Sequence, residues 1–268
     1  MPAPSRLYKY ESLTARTLQN LKGQILYFGS PLAFNDPYDC ALTPNIKTPT
    51  DEETEAVRAH YLSQERLTEQ QRHEWMTQTT QECREMLLRV AHDVIKQATD
   101  AFLKTRGIAC FSEKNDDLLM WSHYGGRYRG VCLEFNTQIE PFEKVKSVKY
   151  LPALPQLNVA NILLNNEGDA VFDLYCTKSD SWCYEREWRA LHEVAGTQYI
   201  YGPKALTGVY FGPDIDNESL EIVCLVLAGQ NENVRFYKGS RSTSEFRVLF
   251  EEFTYTSYLQ AKKLGLRE

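Results

Sequence analysis

The sequence predicts an α+β fold with a mixed, mostly antiparallel sheet. Short apolar or alternating runs that are typical of strands occur at residues 25–28, 108–111, 130–135 and 206–211. Helical patterns of uneven length separate them, whereas a doubly wound sheet would show regular alternation of strand and helix. The chain has 268 residues, 43% hydrophobic and 25% charged, which is the composition of a soluble globular protein. We expect a single α+β domain over residues 1–268.

The N-terminal elements follow from short patterns. Residues 7–10 alternate as a strand, and Ser12 is the expected N-cap of a helix over residues 13–21. Gly23 stands where a helix C-cap belongs, and the strand at residues 25–28 follows it. The sequence FNDPYD at residues 34–39 then predicts a turn, because Asn and Asp bond their own backbone and proline opposes a helix.

Residues 51–106 are predicted to be a helical insertion between strands. The segment is rich in Glu, Gln, Arg and Thr and contains neither Pro nor Gly before its end. We expect two helices, at about residues 51–74 and 77–105. The apolar stripe of the second helix comprises Cys83, Leu87, Val90, Val94, Ala98 and Phe102. The charged residues of this segment most simply form a helix face that is exposed to solvent.

The later part of the chain predicts further strands and helices. Strands are expected at residues 145–150, 206–211, 234–237 and 246–253, and helices in part of residues 157–180 and at residues 219–228.

Residues 107–135, GIACFSEKNDDLLMWSHYGGRYRGVCLEF, hold the densest group of functional residue types. A strand is expected to end at Phe111 and Ser112, and a short helix and a second strand follow it. The helix carries Trp121, His123 and Tyr124. Such a polar and aromatic group beside two glycines makes this segment the first candidate for a functional site.

A second candidate group lies at residues 184–189, YEREWR. If these residues form a strand, Glu185 and Glu187 share one face of it. Two neighbouring carboxylates can bind a sugar diol or stabilise a developing positive charge. An edge strand protected by alternating charges would show the same pattern, so that alternative stays open.

Charge and cysteine content limit the possible partners. The net charge of −6 disfavours general nucleic-acid binding. The seven cysteines form no CxxC pair, which favours reduced thiols and a cytoplasmic protein over disulfides or zinc. No apolar segment approaches the length that spans a membrane, and the first residues, MPAPSRLYKY, do not form a signal peptide.

His123 is the histidine with the most plausible site around it. It could act as a general base or be a core histidine that is bonded to backbone. Asp36, Asp39, Glu185, Glu187 and His123 could gather around a cation, but no HxxE, HExxH or DxD spacing supports this. We therefore predict no metal site.

Four motifs together resemble the bacterial family labelled domain of unknown function 2971. These motifs are LYKY near the start, FNDPYD at residues 34–39, CFS…LLMWSHYG…GVCLEF at residues 110–135 and WCYEREWRAL at residues 182–191. The resemblance covers most of the chain outside the helical insertion. It supports the choice of site residues, but the family label implies no activity.

The order of three elements also resembles that of ADP-ribosyltransferases. A strand with Tyr8, Lys9 and Tyr10 precedes a helix, a strand ends at Phe111 and Ser112, and Glu185-Arg186-Glu187 is an ExE motif. Lys9 stands where those enzymes have His or Arg. The resemblance implies a split sheet that holds NAD, with Glu187 stabilising the oxocarbenium-like ribose and Ser112 orienting Glu187 or contacting ribose. Tyr8, Tyr10 or Tyr124 would stack on nicotinamide.

The predicted function is therefore that of an NAD-dependent ADP-ribosyltransferase-like enzyme or NAD glycohydrolase. It could serve as a toxin or as a phage-defence effector with an unidentified macromolecular acceptor. The predicted catalytic residues are Glu187, Glu185, Ser112 and His123. The residues predicted to bind NAD or another nucleotide-like molecule are Tyr8, Lys9, Tyr10, Ser30, Asn35, Asp36, Phe111, Trp121 and Tyr124. Two alternatives remain, namely a ligand- or peptide-binding module without catalysis, and a metal-assisted hydrolase or nuclease that uses Asp36, Asp39, His123 and Glu187.

Overall fold

The computed structural model describes residues 2–40, 45–65, 67–165, 173–228, 230–231 and 233–266. The chain divides into two compact units. The first unit comprises Met1–Gly29, Gly107–Val148 and Trp182–Glu268, and the second comprises Ser30–Arg106 and Lys149–Ser181.

The strands are β1 (Arg6–Glu11), β2 (Ile25–Tyr27), β3 (Asn45–Lys47), β4 (Gly107–Ser112), β5 (Val131–Asn136), β6 (Lys146–Ser147), β7 (Lys149–Leu151), β8 (Gln156–Asn158), β9 (Thr177–Ser179), β10 (Glu187–His192), β11 (Gln198–Ile200), β12 (Leu206–Phe211), β13 (Arg235–Arg241) and β14 (Val248–Phe253). The α-helices are α1 (Ala15–Gly23), α2 (Asp51–Leu62), α3 (Glu69–Thr77), α4 (Thr80–Thr105), α5 (Leu118–His123), α6 (Val159–Asn165), α7 (Asn217–Leu227) and α8 (Tyr258–Lys263). Short 3-10 helices span Pro31–Ala33, Phe142–Lys144 and Asp180–Glu185.

An eight-stranded sheet forms the centre of the first unit. Its strand order is β14-β13-β12-β5-β1-β4-β10-β6. The pair β12–β13 is parallel, and the other neighbouring pairs are antiparallel. The prediction of a mixed, mostly antiparallel sheet with several helices is therefore confirmed. A separate antiparallel pair joins β2 to β11 in the same unit.

The two central strands β1 and β4 share little of their length. β1 pairs with β5 at all six of its residues, whereas its register with β4 is the single pair Tyr8 and Ser112. Beside the start of β4, Gly29 forms an isolated antiparallel bridge to Ile108. The sheet is thus continuous at Tyr8 and Ser112, and β1 and β4 separate beyond that pair.

The two faces of the sheet differ in composition, because successive side chains on a strand point to opposite faces. One face carries the main apolar core, with Leu7, Phe111, Leu133, Phe135, Trp188 and Phe211 packed against residues of α1 and α7. The other face combines a smaller cluster, which includes Tyr10, Trp121 and Tyr210, with buried polar side chains.

Helix α1 begins and ends later than the sequence predicted. The side chain of Thr14, rather than Ser12, accepts a hydrogen bond from the Thr17 backbone N–H and caps the helix. Ser12 contributes its carbonyl oxygen instead, which accepts a bond from the Thr17 hydroxyl. At the other end Gln24, rather than Gly23, adopts the left-handed conformation, with φ of 52°.

The predicted helix at residues 51–74 is two helices, α2 and α3. Thr68 and Gln71 form a reciprocal capping box that starts α3, and Thr79 with Glu82 does the same for α4. Each box satisfies the free N–H groups at the start of a new helix, so the predicted helix is interrupted there. In the rest of the second unit, β3 pairs with β8 and β7 pairs with β9, both in parallel.

The buried face of α4 differs from the predicted apolar stripe. Cys83, Leu87 and Phe102 are buried as predicted, together with Ala91 and Ile95. Val90 and Val94 are 52% and 57% exposed, so that part of the prediction was wrong. Positions 83, 87, 91 and 95 repeat every four residues and form one helix face, which Val90 and Val94 do not join.

Several predictions about the remaining segments are refined. The strand predicted at residues 145–150 is two short strands, β6 and β7, and β13 extends beyond residue 237 to Arg241. The helix expected within residues 157–180 corresponds to α6, and residues 166–172 lie outside the described residues.

The cysteines are free, and all except Cys110 and Cys183 are buried. Among the described residues no helix is both long and apolar enough to cross a membrane.

Candidate functional site

Four side chains form a row across the polar face of the large sheet. In the antiparallel register Glu134 on β5 is opposite Tyr8 on β1, Tyr8 is opposite Ser112 on β4, and Ser112 is opposite Glu187 on β10. Directly opposed residues point to the same face. With about 4.8 Å between strands, the Cα atoms of Glu134 and Glu187 are about 14 Å apart. We call Glu134, Tyr8, Ser112 and Glu187 the polar row.

Ser112 is buried in the polar row and is 1% exposed. Its hydroxyl donates a hydrogen bond of 2.7 Å to the backbone carbonyl of Glu185 and accepts one of 3.2 Å from the Lys114 N–H. Ser112 therefore fixes the end of β4 to the segment that precedes Glu187.

Glu187 is held by Arg189 two residues along β10. The Arg189 Nε donates to Glu187 Oε1 at 2.7 Å and its Nη2 donates to Oε2 at 2.9 Å. Glu187 is 5% exposed and Arg189 is fully buried. The two bonds fix the plane of the carboxylate, and the guanidinium charge favours its ionised form. Opposite Arg189, burial raises the pKa of the Cys110 thiol and the Glu187 charge adds to this, so Cys110 stays protonated.

Glu185 and Glu187 do not lie on one continuous strand. Glu185 ends the 3-10 helix Asp180–Glu185, Arg186 has a left-handed φ of 43°, and β10 begins at Glu187. The hypothesis that alternation along one strand places both acids on one face was therefore wrong. Glu185 is nevertheless buried, and its Oε1 accepts a bond of 2.7 Å from the Tyr124 hydroxyl.

Glu134 is a candidate residue that the sequence reasoning missed. Its carboxylate is fully buried and accepts hydrogen bonds from the hydroxyls of Thr207 at 2.7 Å, Tyr210 at 2.8 Å and Tyr8 at 3.3 Å. The Arg6 guanidinium lies 3.4 Å from its Oε1. The signal was present in the sequence, because a Glu stands inside an otherwise apolar strand at residues 131–135.

Glu134 keeps its tyrosine partners protonated. Burial raises the pKa of Tyr8 to about 12, and the negative charge of Glu134 contributes to this rise. Burial and the hydrogen bond to Glu134 also raise the pKa of Tyr210. The ring of Tyr210 stacks on Tyr237 with centroids 4.4 Å apart, and Tyr8 meets Tyr210 edge to face at 5.8 Å. The Glu134 end of the row is therefore an aromatic group around one carboxylate.

Helix α5 packs beside Tyr10. Asp117 caps the helix by accepting bonds from the N–H groups of Leu119 and Met120. Trp121 is fully buried, meets the Tyr10 ring edge to face at 5.2 Å, and donates from Nε1 to the Asn115 carbonyl. Trp121 and Tyr10, both predicted to bind NAD, are thus engaged in packing on the polar face.

A close approach explains Gly125, the first residue of the double glycine. A Cβ at this position would lie 2.5 Å from the Trp121 ring and 3.0 Å from its carbonyl oxygen. The glycine therefore permits the chain to turn tightly over Trp121 at the end of α5.

Three of the predicted residues lie away from the polar row. Lys9 and Phe111 point to the apolar face, where Lys9 is opposite Leu133 and Phe111 packs edge to face with Phe135. His123 is exposed at the last position of α5, and its ring centroid is 6.2 Å from that of Tyr124.

The remaining predicted residues belong to the second unit. Ser30 caps the 3-10 helix Pro31–Ala33, Asn35 lies in the following turn, and the Asp36 side chain accepts a bond from the Tyr38 N–H. Asp39 forms a buried ion pair of 3.2 Å with Lys178. Within the described ranges no group of three His, Cys, Asp or Glu residues is placed to hold a metal ion.

Comparison with known proteins gives one match. No curated protein and no solved structure matches the chain. The family described as a protein of unknown function (DUF2971) matches residues 120–190, a segment that includes all of α5 except its first two residues, the whole of β5 and the start of β10. This match supports the predicted DUF2971 family over the segment that carries Tyr124, Glu134, Glu185 and Glu187.

Proposed function

We propose that this protein cleaves NAD between nicotinamide and ribose and transfers the ADP-ribose to water or to a macromolecular acceptor. One observation carries the proposal. Tyr8, Ser112 and Glu187, from three segments far apart in sequence, are directly opposed on neighbouring strands. They meet at the one register pair that joins β1 to β4, beyond which the two strands separate.

Glu187 is the proposed catalytic residue. When the bond between the ribose C1′ and the nicotinamide nitrogen breaks, its electron pair leaves with nicotinamide and positive charge develops on the ribose. A carboxylate beside C1′ stabilises that charge, as carboxylates do in glycoside cleavage. The oxygen of water or of an acceptor side chain then bonds to C1′ and releases a proton.

Arg189 is the proposed positioning residue for Glu187. Its two hydrogen bonds fix both carboxylate oxygens before substrate arrives, so little reorganisation accompanies the charge development. The neighbouring cation also weakens the field of the carboxylate, so the contribution of Glu187 depends on the oxygen lone pairs that Arg189 does not occupy.

The aromatic end of the polar row is the proposed contact for the nicotinamide ring. Tyr8 is partly exposed, and its hydroxyl is tied to Glu134 at 3.3 Å. This bond limits the movement of the ring, which we expect to stack on the flat nicotinamide. A cellular role as a toxin or a defence effector would follow from NAD consumption or from modification of an essential macromolecule.

The test uses NAD labelled in its adenylate part, incubated with the purified protein with and without bacterial lysate. Label that appears in free ADP-ribose indicates hydrolysis, and label that appears in protein or nucleic acid indicates transfer. Glu187→Gln should slow the formation of either product by about 10²–10³-fold, whereas Glu251→Gln, an exposed control with the same charge change, should leave the rate unchanged. Intact NAD in both incubations would contradict the proposal.

A further inference from the structure

Helix α4 leaves an uncharged line of residues exposed on its surface. Val90 and Val94 are 52% and 57% exposed, and Gln97 and Ala101, which are also exposed, continue the same line. We call Val90, Val94, Gln97 and Ala101 the exposed seam. Its intervals of four, three and four residues are the spacing of side chains that pack between two helices.

A stripe of alternating charges runs beside the exposed seam. Its members are exposed and follow one another at intervals of three or four residues, so they lie along one side of the helix. We call these residues the charge stripe: Glu85, Arg89, Asp93, Lys96, Asp100 and Lys104.

The charge stripe is not neutralised within the chain. Opposite charges three or four residues apart on a helix can pair, but in the part of the chain that the structure describes none of these six residues forms an ion pair. Glu85 accepts a hydrogen bond of 2.7 Å from the neutral side chain of Gln81. The six charges are therefore available to a partner surface.

The charge stripe is complementary to itself in the antiparallel direction. A two-fold axis between residues 94 and 95 places each charge of one copy opposite an opposite charge of the other. The resulting pairs are Glu85 with Lys104, Arg89 with Asp100 and Asp93 with Lys96. The two-fold axis makes every pair occur twice. A parallel arrangement in register would instead place each charge beside its own copy, and such like-charge contacts are unfavourable.

The exposed seam fits nearly the same axis. Val90 lies opposite Ala101 and Val94 lies opposite Gln97 when the axis is between residues 95 and 96. The two axes differ by one residue, which is about 1.5 Å along a helix. Long charged side chains can reach across such an offset. Uncharged and charged residues of α4 thus select the same antiparallel partner.

We propose that α4 packs antiparallel against α4 of a second copy of this chain, in a weak homodimer that the charge stripe orients. The inference stands apart from NAD cleavage, because α4 belongs to the second unit and Glu187 to the first. One helix from each copy makes a smaller contact than that of an obligate dimer. The dimer therefore dissociates on dilution, so unfolding of dilute protein reports the monomer.

Sedimentation equilibrium of the full chain at low salt, over a series of protein concentrations, should show wild type in reversible exchange between monomer and dimer. Arg89→Glu places a carboxylate opposite Asp100 at two symmetric positions, and Asp100→Arg places a guanidinium opposite Arg89. Each variant alone should dimerise about tenfold more weakly than wild type. An equal mixture of the two variants restores both opposite-charge pairs and should regain the affinity of wild type.

A matched control separates the charge stripe from net charge. Lys204→Glu makes the same charge change as Arg89→Glu in an exposed turn of the first unit, and it should dimerise as wild type does. Added salt should weaken the wild-type dimer, because it screens exposed charges. The proposal is overturned if wild type stays monomeric at every concentration, which would leave α4 to solvent or to another protein. It is also overturned if Arg89→Glu dimerises as wild type does, or if the mixture dimerises no better than the separate variants.

Discussion

Ser112 and Glu187 are directly opposite each other on β4 and β10, yet the Ser112 hydroxyl donates to the backbone of Glu185 and not to the Glu187 carboxylate. Arg189 holds that carboxylate instead. The division of roles is that Ser112 positions the segment before β10, and Arg189 positions the carboxylate.

Removal of Arg189 should destabilise the protein strongly. Arg189→Met removes the guanidinium that bonds both oxygens of the buried Glu187 carboxylate, and breaking a buried pair costs about 3–5 kcal/mol. Urea unfolding should show this as a lower midpoint with an unchanged slope. Arg186→Met is the matched control, because Arg186 is half-exposed and lies 4.0 Å from Glu113, and it should change stability by less than about 1 kcal/mol. A similar small loss for Arg189→Met would contradict the assignment.

The hydrogen bonds to Glu134 should differ in strength. Tyr210→Phe removes a buried donor at 2.8 Å and should cost about 1.5–3 kcal/mol, the usual value for a bond to a charged group. Tyr8→Phe removes a longer bond of 3.3 Å from a partly exposed residue and should cost less than about 1 kcal/mol. Chemical denaturation of both variants checks the order, and a larger loss for Tyr8→Phe would show that Glu134 depends on Tyr8 more than on Tyr210.

Stability should depend on Tyr8 at alkaline pH. Its folded-state pKa is raised to about 12 from an unfolded value near 10, because burial and the Glu134 charge disfavour the phenolate. The contribution of Tyr8 to stability is therefore present below about pH 10 and is lost as the pH rises to about 12. Over this range wild type should lose stability faster than Tyr8→Phe in urea unfolding. Parallel curves for the two proteins would mean that Tyr8 titrates normally.

Helix α4 should tolerate substitution of Val90 and Val94, the two exposed valines that the predicted apolar stripe included. Leu87→Ala should cost about 2–5 kcal/mol, because it removes a buried side chain that packs beside Val57. Val90→Ala and Val94→Ala, at exposed positions of the same helix, should change stability by at most about 0.5 kcal/mol. Thermal or urea unfolding distinguishes these outcomes. A loss of stability for Val90→Ala as large as that for Leu87→Ala would indicate that Val90 is buried, as the predicted apolar stripe had it.

The sequence predicts the class of the sheet, but it does not predict which residues of neighbouring strands are paired. The apolar runs at residues 108–111 and 130–135 identify β4 and β5, because buried strands are short and apolar. Nothing local pairs Tyr8 with Ser112 across 104 positions, since such pairing depends on the whole core. The order of the motifs therefore suggests that Tyr8, Ser112 and Glu187 come together, but their alignment in one row requires the strand pairing of the folded sheet.

One feature of the site had no reliable sequence signal. The left-handed Arg186 interrupts the predicted strand, and left-handed backbone at a residue other than Gly or Asn is uncommon enough that a strand pattern does not predict it. The position of Lys9 did have a signal, because alternation along the predicted strand already directs it to the face opposite Tyr8. Glu134 was also recognisable as a charged residue inside an apolar strand.

NAD cleavage at Glu187 is tested most directly by the rate at which purified protein releases nicotinamide from NAD, compared between wild type and Glu187→Gln. The glutamine variant keeps the size of the side chain and one acceptor for Arg189 but removes the buried negative charge beside it, so it should be less stable than wild type, and circular dichroism must show that it is folded under the assay conditions. We predict nicotinamide release by wild type and a loss of about 10²–10³-fold in the variant, the usual effect of removing one charge-stabilising group. Equal rates in two folded proteins, or no release by wild type, would contradict the proposed catalytic role of Glu187.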